Sequence, residues 1–260
     1  MIRALALSLC ALLPATALAQ SPIAPFKAEY QTLRNGKELA RTTIKLGENG
    51  DATTTLLTTT EGTSGLARLA GLEVTEESVV RWIEGRPETL HYDFRQDVAF
   101  KNRRRHGEFD WTTGQVHMVD GKSDARYALV PNAIDRHALT LALAADLSRN
   151  AERFDYKVAM KDAIEDVRYT RCGDDVELTV PAGTFSTRCL ERVRAKRTSK
   201  IWFVGNNGWI PVQIEQTERL TELMLSPVGG AWKTGDLLAF GEGVADLQGQ
   251  GQLLYKLLVG

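Results

Sequence analysis

Apolar residues recur at every second position through most of this chain, and that spacing constrains its fold more than any other feature. Phe154, Tyr156, Val158 and Met160 show it, as do Leu90, Tyr92 and Phe94, and Val176, Leu178 and Val180. Successive side chains of a strand point to opposite faces, so a half-buried strand needs this period. Phe26 to Tyr30 leads into Asn35-Gly36, a two-residue hairpin signal, and Ala40 to Leu46 runs back. Asn49-Gly50-Asp51 turns into Thr53 to Thr60, whose β-branched side chains suit a pleated surface. Phe109 and Trp111 precede a Thr112-Thr113-Gly114 turn, with Val116 and Met118 on the return. Ile201 to Val204, Ile210 to Ile214 and Leu220 to Leu225 complete the set. Turn signals at roughly 8–12-residue intervals mark antiparallel sheet rather than βαβ units.

Two segments break this rhythm. Ser64 to Gly71 reads as a short helical turn or a loop. Asp135 to Asn150 reads as a helix, with Ala138, Leu139, Ala142, Leu143, Ala145 and Leu147 at 3–4 spacing and Asp135 placed to cap it. Its apolar stripe should lie against the open face or mouth of the sheet. The expectation is therefore all-β: a strongly curved antiparallel sheet, or a partial β-barrel or sandwich, with one packed helix. Residues 21–226 should form a single domain.

The ends differ from this body. Arg3 is followed by an apolar run and then by Ala17-Leu18-Ala19-Gln20-Ser21, which reads as a secretory signal peptide over residues 1–20, cleaved near Ala19. The run falls short of the roughly 20 apolar residues of a spanning helix, and charges interrupt every later one. The mature chain is then expected to be periplasmic, with no transmembrane segment. Residues 227–260 hold eight of the 22 glycines and end in the apolar Leu253 to Val259. They read as a Gly-rich C-terminal tail, loosely ordered with a final docked strand or helix, or as a segment that touches a partner or membrane.

Export bears on the cysteines. Without Cys10 the chain keeps Cys172 and Cys189, an even count in an oxidising compartment, which points to a disulfide. Geometry argues the other way. In a flat three-strand meander over Thr170 to Val193 both cysteines would oppose Val176 from opposite sides, about 9–10 Å apart, too far to bridge. A bond implies that the meander is broken or folded over.

Chemical motifs are scarce. His91, His106, His117 and His137 are scattered, without a histidine two or four residues away, so no metal site is expected. Gly-x-Ser-x-Gly, a Walker loop and a dinucleotide fingerprint are missing, which leaves no expected cofactor and no catalytic residue. Paired carboxylates at Asp162, Glu165 and Asp166, and at Asp174 and Asp175, gather in expected turns, where acidic residues commonly face water. They are the one route left to a glycan-directed hydrolase. Tyr92, Phe94, Trp111, Trp202 and Trp209 are core residues that also suit a ligand groove. With a net charge of −1, the protein is not expected to bind nucleic acid, and the basic run Lys101 to His106 reads as a solvated strand end or turn.

Three stretches carry a resemblance. The opening Pro25-Phe26-Lys27-Ala28-Glu29-Tyr30, the helix Asp135 to Leu143, and Val180-Pro181-Ala182-Gly183-Thr184-Phe185 followed by Trp202 and Ile210-Pro211-Val212-Gln213-Ile214-Glu215 together resemble an exported bacterial family, domain of unknown function 3108. The likeness covers roughly residues 25–226. It implies a β-rich exported domain with a strongly curved sheet or partial barrel, and brings no activity and no catalytic residues.

The functional expectation is a non-catalytic binding module of the cell envelope, whose concave apolar face holds a lipid or another apolar envelope ligand. The alternatives are a structural or assembly protein that binds a protein partner, and the hydrolase of the turn carboxylates. The sequence singles out no ligand-binding residue.

Overall fold

The structure is a computed structural model that describes residues 21–99, 101–195, 197–205, 208–218 and 252–259. The signal peptide expected at 1–20, the strand expected at 220–225 and the glycine-rich stretch 227–251 lie outside the described residues.

Eight strands follow one another as an antiparallel meander: β1 (Phe26–Arg34), β2 (Lys37–Glu48), β3 (Thr53–Gly62), β4 (Glu73–Ile83), β5 (Arg86–Val98), β6 (Lys101–Asp110), β7 (Gln115–Asp120) and β8 (Ser123–Ala128). Asn35 and Gly36, at φ 49° and 77°, supply the two left-handed residues that the first hairpin requires. Helix α1 (Gly65–Leu69) links β3 to β4. It turns so tightly that a Cβ on Gly62 would sit 2.6 Å from the backbone of Ala67.

The second half contains β9 (Ala133–Asp135), α2 (Leu139–Ser148), β10 (Phe154–Ala159), β11 (Ile164–Arg171), β12 (Val176–Val180), β13 (Gly183–Val193), β14 (Arg197–Val204), β15 (Ile210–Glu218) and β16 (Gln252–Val259). The sheet continues from β1 through β16, β15, β14, β13, β11 and β10 to β9, which is parallel to β10. β16, from the end of the expected tail, stands between β1 and β15 and so joins the two halves of the fold.

The far end then returns to the middle of the meander. The backbone N–H of Asp135 on β9 donates to Thr89 Oγ1 on β5 at 2.8 Å, and that hydroxyl donates to Asp135 Oδ2, also at 2.8 Å. The fold is thus all-β and curled into a half-barrel.

Helix α2 departs from the expected one-sided stripe. It begins at Leu139 rather than Asp135, and eight of its ten residues are buried, on every face. The sheet curls far enough to surround it, and α2 packs in the main core beside Leu46, Leu56, Phe154, Leu190 and Phe203. Buried Asp146 near its C-terminus accepts from the Tyr156 hydroxyl at 2.8 Å and pairs with Arg149.

The cysteine question resolves through the broken meander. β11 and β12 do not pair with each other; both run antiparallel along one edge of β13, with residues 172–175 between them. Cys172 therefore lies beside Cys189. Their Cα atoms are 5.3 Å apart, Cys172 N–H donates to the Cys189 carbonyl at 3.0 Å, and the two sulfurs are bonded. No helix among the described residues is long and apolar enough to cross a membrane.

Candidate functional site

The concave side of the half-barrel encloses a cavity of about 290 Å³. Phe26, Ile44, Leu56, Ile201 and Ile214 form its apolar wall, and Leu141 and Ala144 of α2 face it from the other side. One cross-strand row supplies four adjacent lining residues, Ile44, Thr58, Glu76 and Phe94, on β2 to β5.

A chain of hydrogen bonds leads from Thr58, on the cavity wall, into the core. Thr58 Oγ1 is 2.8 Å from His137 Nε2, and His137 Nδ1 is 2.9 Å from Ser78 Oγ. Ser78 Oγ donates to Asp135 Oδ1 at 2.8 Å. Asp135 is wholly buried and accepts as well from the Thr89 hydroxyl and from the backbone N–H groups of His137 and Ala138, at 2.7 and 2.9 Å. Burial pushes its carboxyl above the usual range, while His137, the Ala138 N–H and the two hydroxyls pull it back. Every side-chain hydrogen bond of Asp135 is one it accepts, which suits the ionised form. A β-bulge between Val79 and Val80 re-aims β5, so that Thr89 rather than Leu90 faces inward to meet Asp135.

A second cluster lies one strand pair away. Arg136 Nε donates to Glu76 Oε1 and to the Tyr92 hydroxyl, both at 3.0 Å, and Tyr92 donates to the same carboxylate oxygen at 2.7 Å. The Arg136 guanidinium lies 5.4 Å from the centroid of the Phe94 ring. Burial alone would raise Glu76, but the charges of Arg136 and His137 and the Tyr92 and Arg136 hydrogen bonds overcome it and hold its carboxyl at about 2. Burial keeps Tyr92 well above the usual tyrosine range, and so a phenol donor.

A hydroxyl on an imidazole invites comparison with a nucleophile and its base, but β3 is paired on both edges. Its backbone N–H groups are committed to the ladders and leave none beside Thr58 for an oxyanion.

Of the residues singled out in the sequence, Phe94, Trp209 and His137 line the cavity, whereas Tyr92 is core and reaches it only through Glu76. Trp111 lies elsewhere, its indole N–H donating to the Thr89 carbonyl. Glu165 and Asp166 belong to strand β11, not to a turn, and are exposed; Asp175 pairs with Arg171 and Arg188. None of the proposed carboxylates lines the cavity. The basic run is strand β6 rather than a turn: Arg103 and Arg105 pair with Asp120, Arg104 with Asp97, and His106 with Asp93 and Glu108. Among the described residues no group of three or more His, Cys, Asp or Glu is arranged to hold a metal. Glu76, Ser78 and Thr58 were not singled out; Glu76 and Ser78 share the inward parity of β4 with Val74, Val80 and Trp82, while Thr58 shares that of β3 with Leu56 and two more threonines, Thr54 and Thr60.

Among curated proteins none matches this chain. The solved structures it resembles include a crystal structure of a β-barrel-like protein of domain of unknown function DUF1849 from Brucella abortus. The TM-score is 0.43 and the identity 10%, over 93% of this chain and 98% of that one. Sequence gives a firmer placement: the model of the family described as Protein of unknown function (DUF3108) matches residues 26–224, and the chain belongs to that family.

Proposed function

We propose that this protein is an exported, non-catalytic binding module of the cell envelope that holds a lipid or other apolar envelope ligand in the concave cavity. The observation that carries the reading is a cavity of about 290 Å³ whose wall is mainly apolar, with polar side chains such as Thr58, His137 and Ser199 set into it. That volume is near the lower edge of small-molecule sites. At about 30 Å³ per non-hydrogen atom it takes on the order of ten such atoms. A single acyl or alkyl chain fits that space, and a two-chain phospholipid exceeds it. Export is supported by the leader read at residues 1–20 and by the Cys172–Cys189 bond, since such bonds persist in oxidising compartments.

Isothermal titration with 1-decanol, whose size matches that capacity, tests the reading. The expected result is saturable binding at one site per chain, lost in Ile44→Trp, where the larger ring grows into the cavity. Saturable binding that Ile44→Trp leaves unchanged would place the apolar site elsewhere and overturn it.

A further inference from the structure

A row of polar side chains crosses four strands on the inner face of the half-barrel. Arg192 on β13 stands directly opposite Ser199 on β14, and Ser199 opposite Gln216 on β15. On the other edge of β13, β11 meets it at Thr170 and Glu191, so the next position brings Tyr169 alongside Arg192. Residues opposite one another on paired strands share a face, and Tyr169, Ser199 and Gln216 all line the cavity. Arg192, between them, faces the same way. Among the described residues none of these four side chains has a hydrogen bond or an ion pair.

The two largest members make that lack costly. Tyr169 is 8% exposed, and a phenol buried this far ordinarily finds a hydrogen-bond partner. Burial holds it above the usual tyrosine range, so it remains a donor. Arg192 is half-buried, and burial together with the neighbouring Arg194 works against its charge, yet a guanidinium keeps its proton. The nearby carboxylates are engaged by other residues. Glu165 pairs with Arg194 at 3.8 Å. Glu76, the one carboxylate among the cavity's described lining residues, pairs with Arg136 at 3.0 Å. Arg197, two residues before Ser199 on β14, brings a further positive charge to the lining.

An anionic oxygen head fits this row. A guanidinium offers two parallel N–H groups to a carboxylate, and Tyr169 and Ser199 each add an O–H donor. The apolar wall begins beside it: Ile201 and Ile214, opposite each other, lie one inward position along from Ser199 and Gln216.

We propose that this row is the head-group site of the cavity and that the ligand is a single-chain carboxylate, a fatty acid, whose head pairs with Arg192 and accepts from the Tyr169 hydroxyl. This deepens the reading of the cavity as an apolar-ligand site and rests on it. Arg192 and Tyr169 are then the residues that determine specificity for the head.

Isothermal titration at pH 8 with decanoate and 1-decanol, equal in chain length, separates head from tail. Decanoate is expected to bind at one site per chain and at least about tenfold more tightly than the alcohol, the size of a hydrogen bond to a charged group. Arg192→Met keeps an apolar stem and removes the charge, and should bring the two probes to equal affinity. Arg192→Lys, which restores the charge, should recover the preference for decanoate, and Tyr169→Phe should weaken decanoate severalfold. Equal affinities in the unsubstituted protein, or a preference for decanoate that Arg192→Met keeps in full, would overturn the head-group site while leaving the cavity reading intact. Failure of both probes to bind would overturn both.

Discussion

Thr58 and Glu76 stand directly opposite each other on neighbouring strands, facing the inside of the half-barrel, where the strands on either side offer isoleucine and phenylalanine. Each is held by a residue of the single segment that precedes α2: His137 takes Thr58, and Arg136 takes Glu76. The segment Asp135-Arg136-His137 thus ties the far end of the sheet to β3, β4 and β5 at once, and brings Arg136 and His137 to the cavity.

Asp135 is the centre of that tie. Asp135→Asn keeps the size but turns one acceptor oxygen into an NH2 facing hydroxyls already committed to it. The expected loss is about 2–4 kcal/mol, or roughly 4–16 °C in melting temperature for a domain of this size. Thermal unfolding followed by circular dichroism measures it, and a change under 1 °C would show that the network does not depend on the charge.

Acid should act on the same region through Glu76. Its carboxyl is held at about 2 in the folded chain against an ordinary value of 4.5. A carboxylate with a lowered folded pKa contributes stability above its unfolded value and loses it as the pH falls toward the folded one. The contribution is about 3 kcal/mol, present at pH 5 and disappearing between about pH 4.5 and 2. Denaturant melts at pH 5 and pH 3 should show a drop that Glu76→Gln, though less stable at pH 5, shows to a smaller extent. An equal drop in both proteins would remove Glu76 from the acid response.

Gln96 offers a test in the opposite direction. Its side chain is buried at 1% exposure, and neither Oε1 nor Nε2 has a hydrogen-bond partner. It continues the row Thr42, Thr60, Val74, whose three members line the cavity. A buried amide without partners costs free energy, so Gln96→Leu should stabilise the protein by about 1–2 kcal/mol. Destabilisation in urea melts would mean that the amide is satisfied in solution.

The disulfide closes a loop between positions 17 residues apart, worth about 3 kcal/mol on a chain-entropy estimate. The melting temperature should fall by roughly 6–12 °C on reduction or in Cys172→Ser/Cys189→Ser. Mass spectrometry after alkylation without reduction should find neither cysteine modified; two alkylated cysteines would contradict the bond.

The sequence read the strands well where one face is apolar and poorly where the site lies. Phe154 to Met160 alternates cleanly and is a strand up to Ala159; Glu73 to Ile83 passed unread, because Glu76 and Ser78 occupy the inward positions that alternation needs to be apolar. Parity also fails across a bulge. Counting by twos from Tyr92 puts Leu90 inside, while the extra residue near Val79 puts Thr89 there. The meander over Thr170 to Val193 looked continuous because Gly173-Asp174-Asp175 is a fair hairpin turn; nothing local says that β11 and β12 share one edge of β13. His137 was one of four scattered histidines, and its partners lie 79 and 59 residues away. Such contacts are set by how the sheet curls, which no local pattern records.

Native mass spectrometry of the protein purified from its producing cells, followed by solvent extraction, tests the central claim most directly. The account predicts a bound species at one per chain, small enough for a single-chain amphiphile and absent from Ile44→Trp. An apo mass for the unsubstituted protein that stays unchanged after incubation with excess 1-decanol would contradict it.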